Sequence, residues 1–252
     1  MQSMTYQELR GRLIEYAERY ETEEFMEGDP SRFMHQVEGD ENREMTAFVA
    51  SALSYGSRKQ FLPKIGLLLD WSAGEVSRWV ADGAYRERFA LDDRSCFYRL
   101  YDVRTMRLFL DACREMLLSH GSMGEWLRSL GVRDALSAVE AICRWFAEHG
   151  SVGVVPKDAS SSCKRVCMFL RWMVRDGSPV DLGLWSDFID KRTLIMPLDT
   201  HVLTEARAMG LMRGRSASMG AARWLTAELA RVFPEDPLKG DFALFGLGFS
   251  RG

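Results

Sequence analysis

Hydrophobic residues recur at intervals of three and four along most of this chain. Such spacing is typical of amphipathic helices. It predicts helices over about 5–27 and 45–53, then a turn at 54–57 followed by a helix that ends at 71. Further helices are predicted over 73–90, 102–119, 122–130, 133–149 and 160–175. Glycines and prolines separate these segments, and alternating β patterns are scarce. The pattern therefore predicts an all-α protein.

The stretch around Asp199 predicts a helix that begins with a carboxylate. Pro197 keeps Met196 out of the helical region, and Asp199 stands where an N-cap residue belongs. Apolar residues at helical spacing and a glycine stop follow, namely Val202, Ala206, Met209 and Gly210. A capping role alone explains such an aspartate. The alternative is a carboxylate that acts in a functional site.

The helix predicted over 160–175 has one apolar and one basic face. Its basic residues are Lys164, Arg171 and Arg175, which at ~100° per residue fall within about 40° of each other. This stripe is either a solvated surface or a face that meets phosphates, with Lys164 at the helix start in reach of a cleft. The span 176–191 reads as an insertion that covers the site.

Composition limits the class of protein. The chain has 252 residues, of which 46% are hydrophobic and 27% charged, so it is globular and forms one large domain or two small lobes. It has neither a signal peptide nor the ~20 uninterrupted apolar residues of a membrane helix. We therefore expect a cytoplasmic protein that does not act at membranes.

Charge and cysteine content narrow the candidate partners and cofactors. The net charge is −3, so any nucleic-acid surface must be a local patch. The five cysteines are an odd number at irregular spacing. We expect them to be mostly small buried hydrophobic residues and not a disulfide framework.

Three stretches resemble the helix-hairpin-helix DNA glycosylases, the endonuclease III superfamily. Pro197-Leu-Asp-Thr-His-Val202 resembles the segment with the catalytic aspartate. Residues 225–234 with 240–248 resemble the closing helices, and 48–59 resemble the early core helix and the loop that enters DNA. The whole chain also resembles a bacterial family catalogued as a domain of unknown function. The matching segments are Cys163-Lys-Arg165, 169–175, 197–201 and 241–245.

The resemblance implies an all-α, two-lobed fold of the helix-hairpin-helix glycosylase type with a central cleft. Residues 40–178 would form the central lobe and 1–39 with 192–252 the terminal lobe, with the insertion at 179–191 between the site segments. The implied partner is damaged DNA, single-stranded or duplex, bound by a monomer. Many relatives end in four cysteines that hold an iron–sulfur cluster. Residues 248–252 contain none, so we expect no cluster, metal or other cofactor.

The resemblance also implies that Lys164 and Asp199 are the catalytic pair of a base-excision glycosylase with AP-lyase activity. A carboxylate stabilises the positive charge that builds on the sugar. An amine attacks the sugar carbon and forms a Schiff base that permits strand scission. The two residues lie 35 positions apart. An archaeal branch acting on oxidised guanine has a comparable gap, and the insertion accounts for it here.

Further site residues follow from the same resemblance, each beside a structural alternative. The expected nucleic-acid contacts are Arg165, Arg171, Arg175, Tyr55, Ser57 and His201. The expected base-pocket residues are Trp172, Trp185 and Asp241. For Tyr55, the alternative to a wedge inserted between DNA bases is an exposed tyrosine in a turn. The tryptophans have core packing as their alternative role, and Asp241 has helix capping. His201 has the alternative role of a structural partner of the Asp199 turn.

One departure from the superfamily keeps other functions open. The relatives have Leu-Pro-Gly-x-Gly before the lysine, whereas this chain has Asp158-Ala-Ser-Ser-Ser162. Both glycines are replaced, so the phosphate-binding turn is altered or absent. A non-catalytic nucleic-acid-binding relative and a helical protein-interaction module are therefore the alternative functions.

Overall fold

The computed structural model describes residues 5–150 and 153–249, which divide into two compact units. The first contains Asp134–Leu136 and the described parts of Met1–Glu27 and Ala159–Gly252. The second contains Gly28–Arg133 and the described part of Ser137–Asp158. Helices dominate both units, so the mostly helical fold predicted from the sequence is confirmed. No helix in these ranges has the length and apolar character needed to cross a membrane.

The helices of the first unit are α1 (Tyr6–Tyr20), α8 (Lys164–Val174), α9 (Thr200–Ala208), α10 (Met219–Ala230) and α11 (Lys239–Phe249). Those of the second are α2 (Asp40–Leu53), α3 (Arg58–Trp71), α4 (Val76–Ala81), α5 (Val103–His120), α6 (Met123–Ser129) and most of α7 (Ala135–Glu148). Short 3-10 helices occupy Glu23–Gly28, Pro30–His35, Ala84–Glu87 and Lys191–Thr193. Strands β1 (Cys96–Tyr98) and β2 (Tyr101–Asp102) pair as an antiparallel hairpin.

Several predicted boundaries were wrong for local reasons. The helix predicted over 5–27 ends at Tyr20, because Glu21 leaves the helical region with φ −82° and ψ 70°. The helix predicted over 73–90 is divided into α4 and a 3-10 turn by Gly83, whose φ is +75°. The hairpin was not predicted because strands of three and two residues are too short to show an alternating pattern.

Aromatic packing forms the core of the second unit. The ring of Phe48 on α2 lies 5.7 Å from Phe109 on α5 and 5.1 Å from Phe146 on α7. Glu44, also on α2, is buried and accepts hydrogen bonds from the Met123 and Gly124 amides at 2.7 and 3.1 Å. This carboxylate thus satisfies the free amides at the start of α6.

Close helix packing organises the first unit, where α1 lies along α11 and α11 also contacts α9. A Cβ atom at Gly246 would collide with the ring of Tyr20, so α11 approaches α1 this closely only with glycine at that position. Phe25 adds edge-to-face contacts to Phe242 and Phe245, at 5.0 and 4.8 Å between ring centroids.

The prediction that the basic residues of the 160–175 segment are exposed is wrong for two arginines, Arg171 and Arg175. Arg171 is 4% exposed and Arg175 is 1% exposed. Arg171 donates from Nε to Asp181 at 3.2 Å and from Nη1 to Asp241. The stripe is therefore neither a solvated surface nor a phosphate-facing one along this part of the helix.

Arg175 makes the larger set of ion pairs. Its Nε and Nη2 both donate to Asp236, at 2.9 and 2.7 Å, and Nη2 also donates to Glu21 at 2.7 Å. Its Nη1 donates to Asp181, which therefore bridges both arginines. We call these two arginines and their four partners, Glu21, Asp181, Asp236 and Asp241, the arginine–carboxylate cluster.

Burial of these charges requires that all partners stay together. Burial raises the pKa of Asp181, against the opposing charges of Arg171 and Arg175. An ion removed from water loses several kcal/mol of solvation, and only well-formed hydrogen bonds and opposite charge offset that loss. Removal of one member therefore leaves the others buried without compensation.

We expect Arg175→Met to lower the free energy of unfolding by about 3–5 kcal/mol, because it leaves buried carboxylates without their positively charged partner. Urea denaturation followed by circular dichroism measures this change. The matched control is Arg192→Met, which removes a surface pair with Asp190 whose arginine side chain is 58% exposed, and it should change stability far less. Equal effects of the two substitutions would contradict the role assigned to the cluster.

Candidate active site

The predicted capping role of Asp199 is confirmed. Asp199 is the N-cap of α9 in an extended conformation, and its Oδ1 accepts a hydrogen bond from the Val202 amide at 2.9 Å. The chain before it is buried from Leu194 to Leu198, and the Met196 amide donates to Thr226 Oγ1 at 2.9 Å. The carboxylate is thus held at a fixed point at the start of a helix.

Lys164 and Asp199 are in direct contact. Lys164 is the first residue of α8, and its Nζ donates to Asp199 Oδ2 at 2.7 Å. One carboxylate oxygen therefore binds the helix amide and the other binds the ammonium group. The side chains are 35% and 33% exposed, so both remain accessible to a molecule from solvent.

The turn before Lys164 is unusual in its backbone. Cys163 is the N-cap of α8 and has the left-handed values φ 46° and ψ 37°, without a side-chain capping bond. Its amide donates to Ser161 Oγ at 3.3 Å, and Ser161 forms an isolated antiparallel bridge with Ser218. A non-glycine residue in this region costs of order 1–3 kcal/mol and persists where the surrounding structure imposes it. A turn supported by the Ser161 hydroxyl thus leads directly into Lys164.

The electrostatics of the pair keep Asp199 ionised. Burial pushes the pKa of Asp199 upward, but the charge and hydrogen bond of Lys164 outweigh it, helped by the Val202 amide and the charge of His201, and the net effect lowers the pKa of Asp199 from its ordinary value. A depressed folded pKa means that ionised Asp199 contributes stability above its unfolded pKa. This contribution is lost as pH falls through the folded value.

Asp241 adds a second carboxyl to this region. It lies in the first turn of α11, is bound by Arg171 Nη1, and has a side chain only 14% exposed. Burial raises its pKa, while Arg171 and Lys164 lower it and the charge of Asp199 raises it further. Asp241 therefore shares the electrostatic field of the Lys164–Asp199 pair and connects it to the arginine–carboxylate cluster.

The remaining residues expected in this unit differ in their positions. His201 is exposed in the first turn of α9, and Arg165 is half-buried at the second position of α8. Trp172 is 0% exposed and Trp185 is 2% exposed, with Trp185 edge-to-face on Phe169 at 5.2 Å. Both tryptophans are thus core residues, as the packing alternative predicted, and a role in base stacking stays a prediction.

Tyr55 and Ser57 lie in the second unit. The Tyr55 ring is 5.0 Å from that of Tyr98, and its hydroxyl donates to the Tyr98 carbonyl at 3.2 Å and accepts from the Leu100 amide at 3.1 Å. The half-buried Tyr55 therefore packs against the β1–β2 hairpin and forms hydrogen bonds with it, and it is not an exposed turn residue. Ser57 is the exposed N-cap of α3.

The sequence did not identify three carboxylates that hold α8. Glu21, Asp181 and Asp236 are distributed over 216 residues of the chain, and no local spacing relates them to Arg175. The only signal was the insertion itself, because a solvated loop does not require an aspartate between apolar residues such as Val180 and Leu182.

We expect Lys164→Met to raise the pKa of Asp199, because the burial that favours the neutral form remains while the opposing positive charge is removed. Carboxyl ¹³C chemical shifts of aspartate-labelled protein, followed as a function of pH, measure the change. Lys191→Met is the control, since Lys191 pairs with Asp176 at 2.6 Å and should leave the Asp199 titration unchanged. An unaltered Asp199 titration in Lys164→Met would show that the ion pair does not exist in solution.

Comparison with known proteins gives a family and no function. The model of the family described as Protein of unknown function (DUF2400) matches residues 29–250. Neither the curated proteins nor the solved structures contain a significant match to the chain. The matched segment includes the Lys164–Asp199 pair, Asp241 and both cluster arginines. Because the match covers most of the chain, the chain belongs to the DUF2400 family.

Proposed function

We propose that this protein is a DNA base-excision glycosylase with AP-lyase activity. The observation that carries the proposal is the 2.7 Å contact between Lys164 Nζ and Asp199 Oδ2 at the starts of two helices, with both side chains accessible. The resemblance of 197–202 to the glycosylase segment supplies the reaction class. The proposal includes a helix-hairpin-helix glycosylase fold, and a cytoplasmic monomer that needs neither metal nor iron–sulfur cluster.

In the proposed reaction, Lys164 is the nucleophile. The ammonium group of Lys164 first gives one proton to the base, and the neutral amine then forms a bond to C1′ of the sugar as the bond from C1′ to the protonated base breaks, so that the base departs neutral. The secondary ammonium formed on C1′ then transfers a proton to the ring oxygen as the ring opens. The product is a protonated Schiff base between Lys164 and the sugar, from which strand scission proceeds.

Asp199 acts through its charge. Positive charge develops on the sugar as the base departs, and a fixed carboxylate beside it stabilises this transition state. The low pKa of Asp199 keeps the carboxylate ionised at neutral pH, and the Val202 amide holds it in place. The same residue attracts Lys164 to the reacting position, so capping and catalysis use different oxygens of one side chain.

Asp241 is the proposed contact to the base. Burial raises its pKa, against the opposing charges of Arg171 and Lys164, and its oxygens accept hydrogen bonds. Arg171 orients this group by binding one of its oxygens. A carboxyl group held in this way suits a base edge that presents a hydrogen-bond donor.

A second candidate is a nucleic-acid-binding relative without catalytic activity. The replacement of the glycine-rich turn by 158–162 favours it, because that turn binds phosphate in the active relatives. A helical protein-interaction module is the third candidate and needs no basic surface. Covalent chemistry on DNA separates the first function from the other two.

The test is borohydride trapping on DNA with an abasic site or a panel of damaged bases. We expect a covalent protein–DNA adduct with the unmodified protein and none with Lys164→Ala, whereas Lys191→Ala, a control at another ion-paired lysine, should trap normally. Asp199→Asn keeps most of the capping geometry and should slow base release by about 10²–10³-fold, the range found for loss of one electrostatic group.

Two other outcomes have definite meanings. Base release that survives Lys164→Ala but not Asp199→Asn would replace the lysine with a water nucleophile and make the enzyme monofunctional. Absence of release from every lesion, with DNA binding intact, would reject catalysis in favour of the binding-protein alternative.

A further inference from the structure

A 22-residue segment, 206–227, contains four arginines and no carboxylate, although the whole chain has a net charge of −3. It covers the end of α9, the connection to α10 and most of α10. We call Arg207, Arg213, Arg215, Arg223 and Trp224 the basic segment. An uncompensated concentration of positive charge in an acidic chain marks a surface for an anionic partner.

The arginines of the basic segment differ from those of α8 in their surroundings. All four are exposed, and none forms an ion pair or side-chain hydrogen bond with any residue in the described ranges. Helix-end stabilisation explains Arg207 alone, in the last turn of α9. The other three arginines have no ionic partner in the part of the chain that the structure describes.

Trp224 provides an apolar contact on the same segment. Its side chain is 61% exposed on α10, the most exposed aromatic residue among the large hydrophobic residues at the surface. The other exposed positions of α10 are Gly220, Arg223 and Ala227, so the helix has no broad apolar face. An isolated exposed indole that follows an arginine in sequence suits the stacking of one flat ring more than insertion into lipid.

The basic segment is attached at both ends to the candidate active site. Asp199 caps α9, and Arg207 lies eight residues farther, about 12 Å along the helix axis. Ser218 caps α10 and bridges to Ser161, three residues before Lys164. A chain that binds along 206–227 therefore passes close to the Lys164–Asp199 pair.

We propose that the basic segment binds a single-stranded stretch of DNA, with the arginines on consecutive phosphates and Trp224 stacked on an unpaired base. The choice of DNA as the anionic partner rests on the proposed function, whereas the inference that this surface binds an anion does not. Guanidinium groups bind phosphate in a bidentate manner. An aromatic face binds any base without sequence preference. The segment thus takes the role that the sequence assigned to the α8 arginines.

Fluorescence anisotropy with an undamaged oligothymidine of about 30 nucleotides, longer than the ~4–16 nucleotides of typical single-strand sites, tests the proposal. We expect Arg213→Glu/Arg215→Glu to weaken binding at least about tenfold and to reduce the slope of log affinity against log salt by about 1.4, at ~0.7 per lost phosphate contact. The control, Arg10→Glu/Arg144→Glu, makes the same change in net charge at exposed arginines of α1 and α7 and should change affinity little.

Trp224→Ala tests the stacking contact. It should weaken oligothymidine binding by about 5–100-fold, the effect of losing one stacked base, while Trp224→Phe restores much of it. Binding to a fully paired duplex of the same length should change little, because its bases are not available. Equal losses on duplex and single strand would overturn the single-strand assignment.

Separate variants distinguish failure of the proposed binding surface from failure of the proposed Schiff-base reaction. Lys164→Ala should still bind oligothymidine, because Lys164 lies outside the basic segment, and failure of the proposed reaction alone would leave the effect of Arg213→Glu/Arg215→Glu on oligothymidine binding unchanged. The proposal is overturned if the control variant loses as much affinity as Arg213→Glu/Arg215→Glu. It is also overturned if oligothymidine does not bind at low salt, and vesicles of phosphatidylserine and phosphatidylcholine that bind in its place would identify the partner as a membrane surface.

Discussion

The first unit depends on two arginines that are buried with their charges. Arg171 lies in the last turn of α8 and Arg175 is the C-cap residue of that helix. The four carboxylates that surround them come from the end of α1, the insertion after α8, and the region of α11. The four carboxylates come from three separate parts of the chain, so the cluster forms only when these parts have assembled. Because an unpaired buried charge is far more costly than a missing apolar contact, the cluster tolerates one arrangement of these elements and excludes others.

This constraint extends to the candidate active site along α8. Arg171 and Lys164 lie on the same face of the helix, two turns apart, and the aspartates that bind them, Asp241 and Asp199, influence each other's ionisation. The cluster therefore determines where α8 lies, and α8 determines where the amine of Lys164 lies. Asp199 reaches the same point independently, through the cap of α9 and the buried strand-like lead-in before it.

The arginines of the first unit fall into two classes with different surroundings. The α8 arginines are neutralised by carboxylates and have no capacity left for phosphates. The arginines of the basic segment are exposed and without such partners in the described part of the chain. Net charge does not reveal this division, because an acidic chain contains both a neutralised cationic core and a free cationic surface. The position of each arginine, and not the number of arginines, therefore decides which of them are accessible to an anion from solvent.

The sequence by itself determined the features that arise from contacts a few residues apart. These are the helical periodicity and the Asp199 cap, whose side chain reaches an amide three positions ahead. Tertiary structure alone decided which face of α8 is solvated. Amphipathic spacing predicts that charged residues face water, but it does not include carboxylates from distant segments that make burial of an arginine favourable. For the same reason the contact between Lys164 and Asp199, 35 residues apart, was a hypothesis from resemblance until the folded chain brought the two helix starts together.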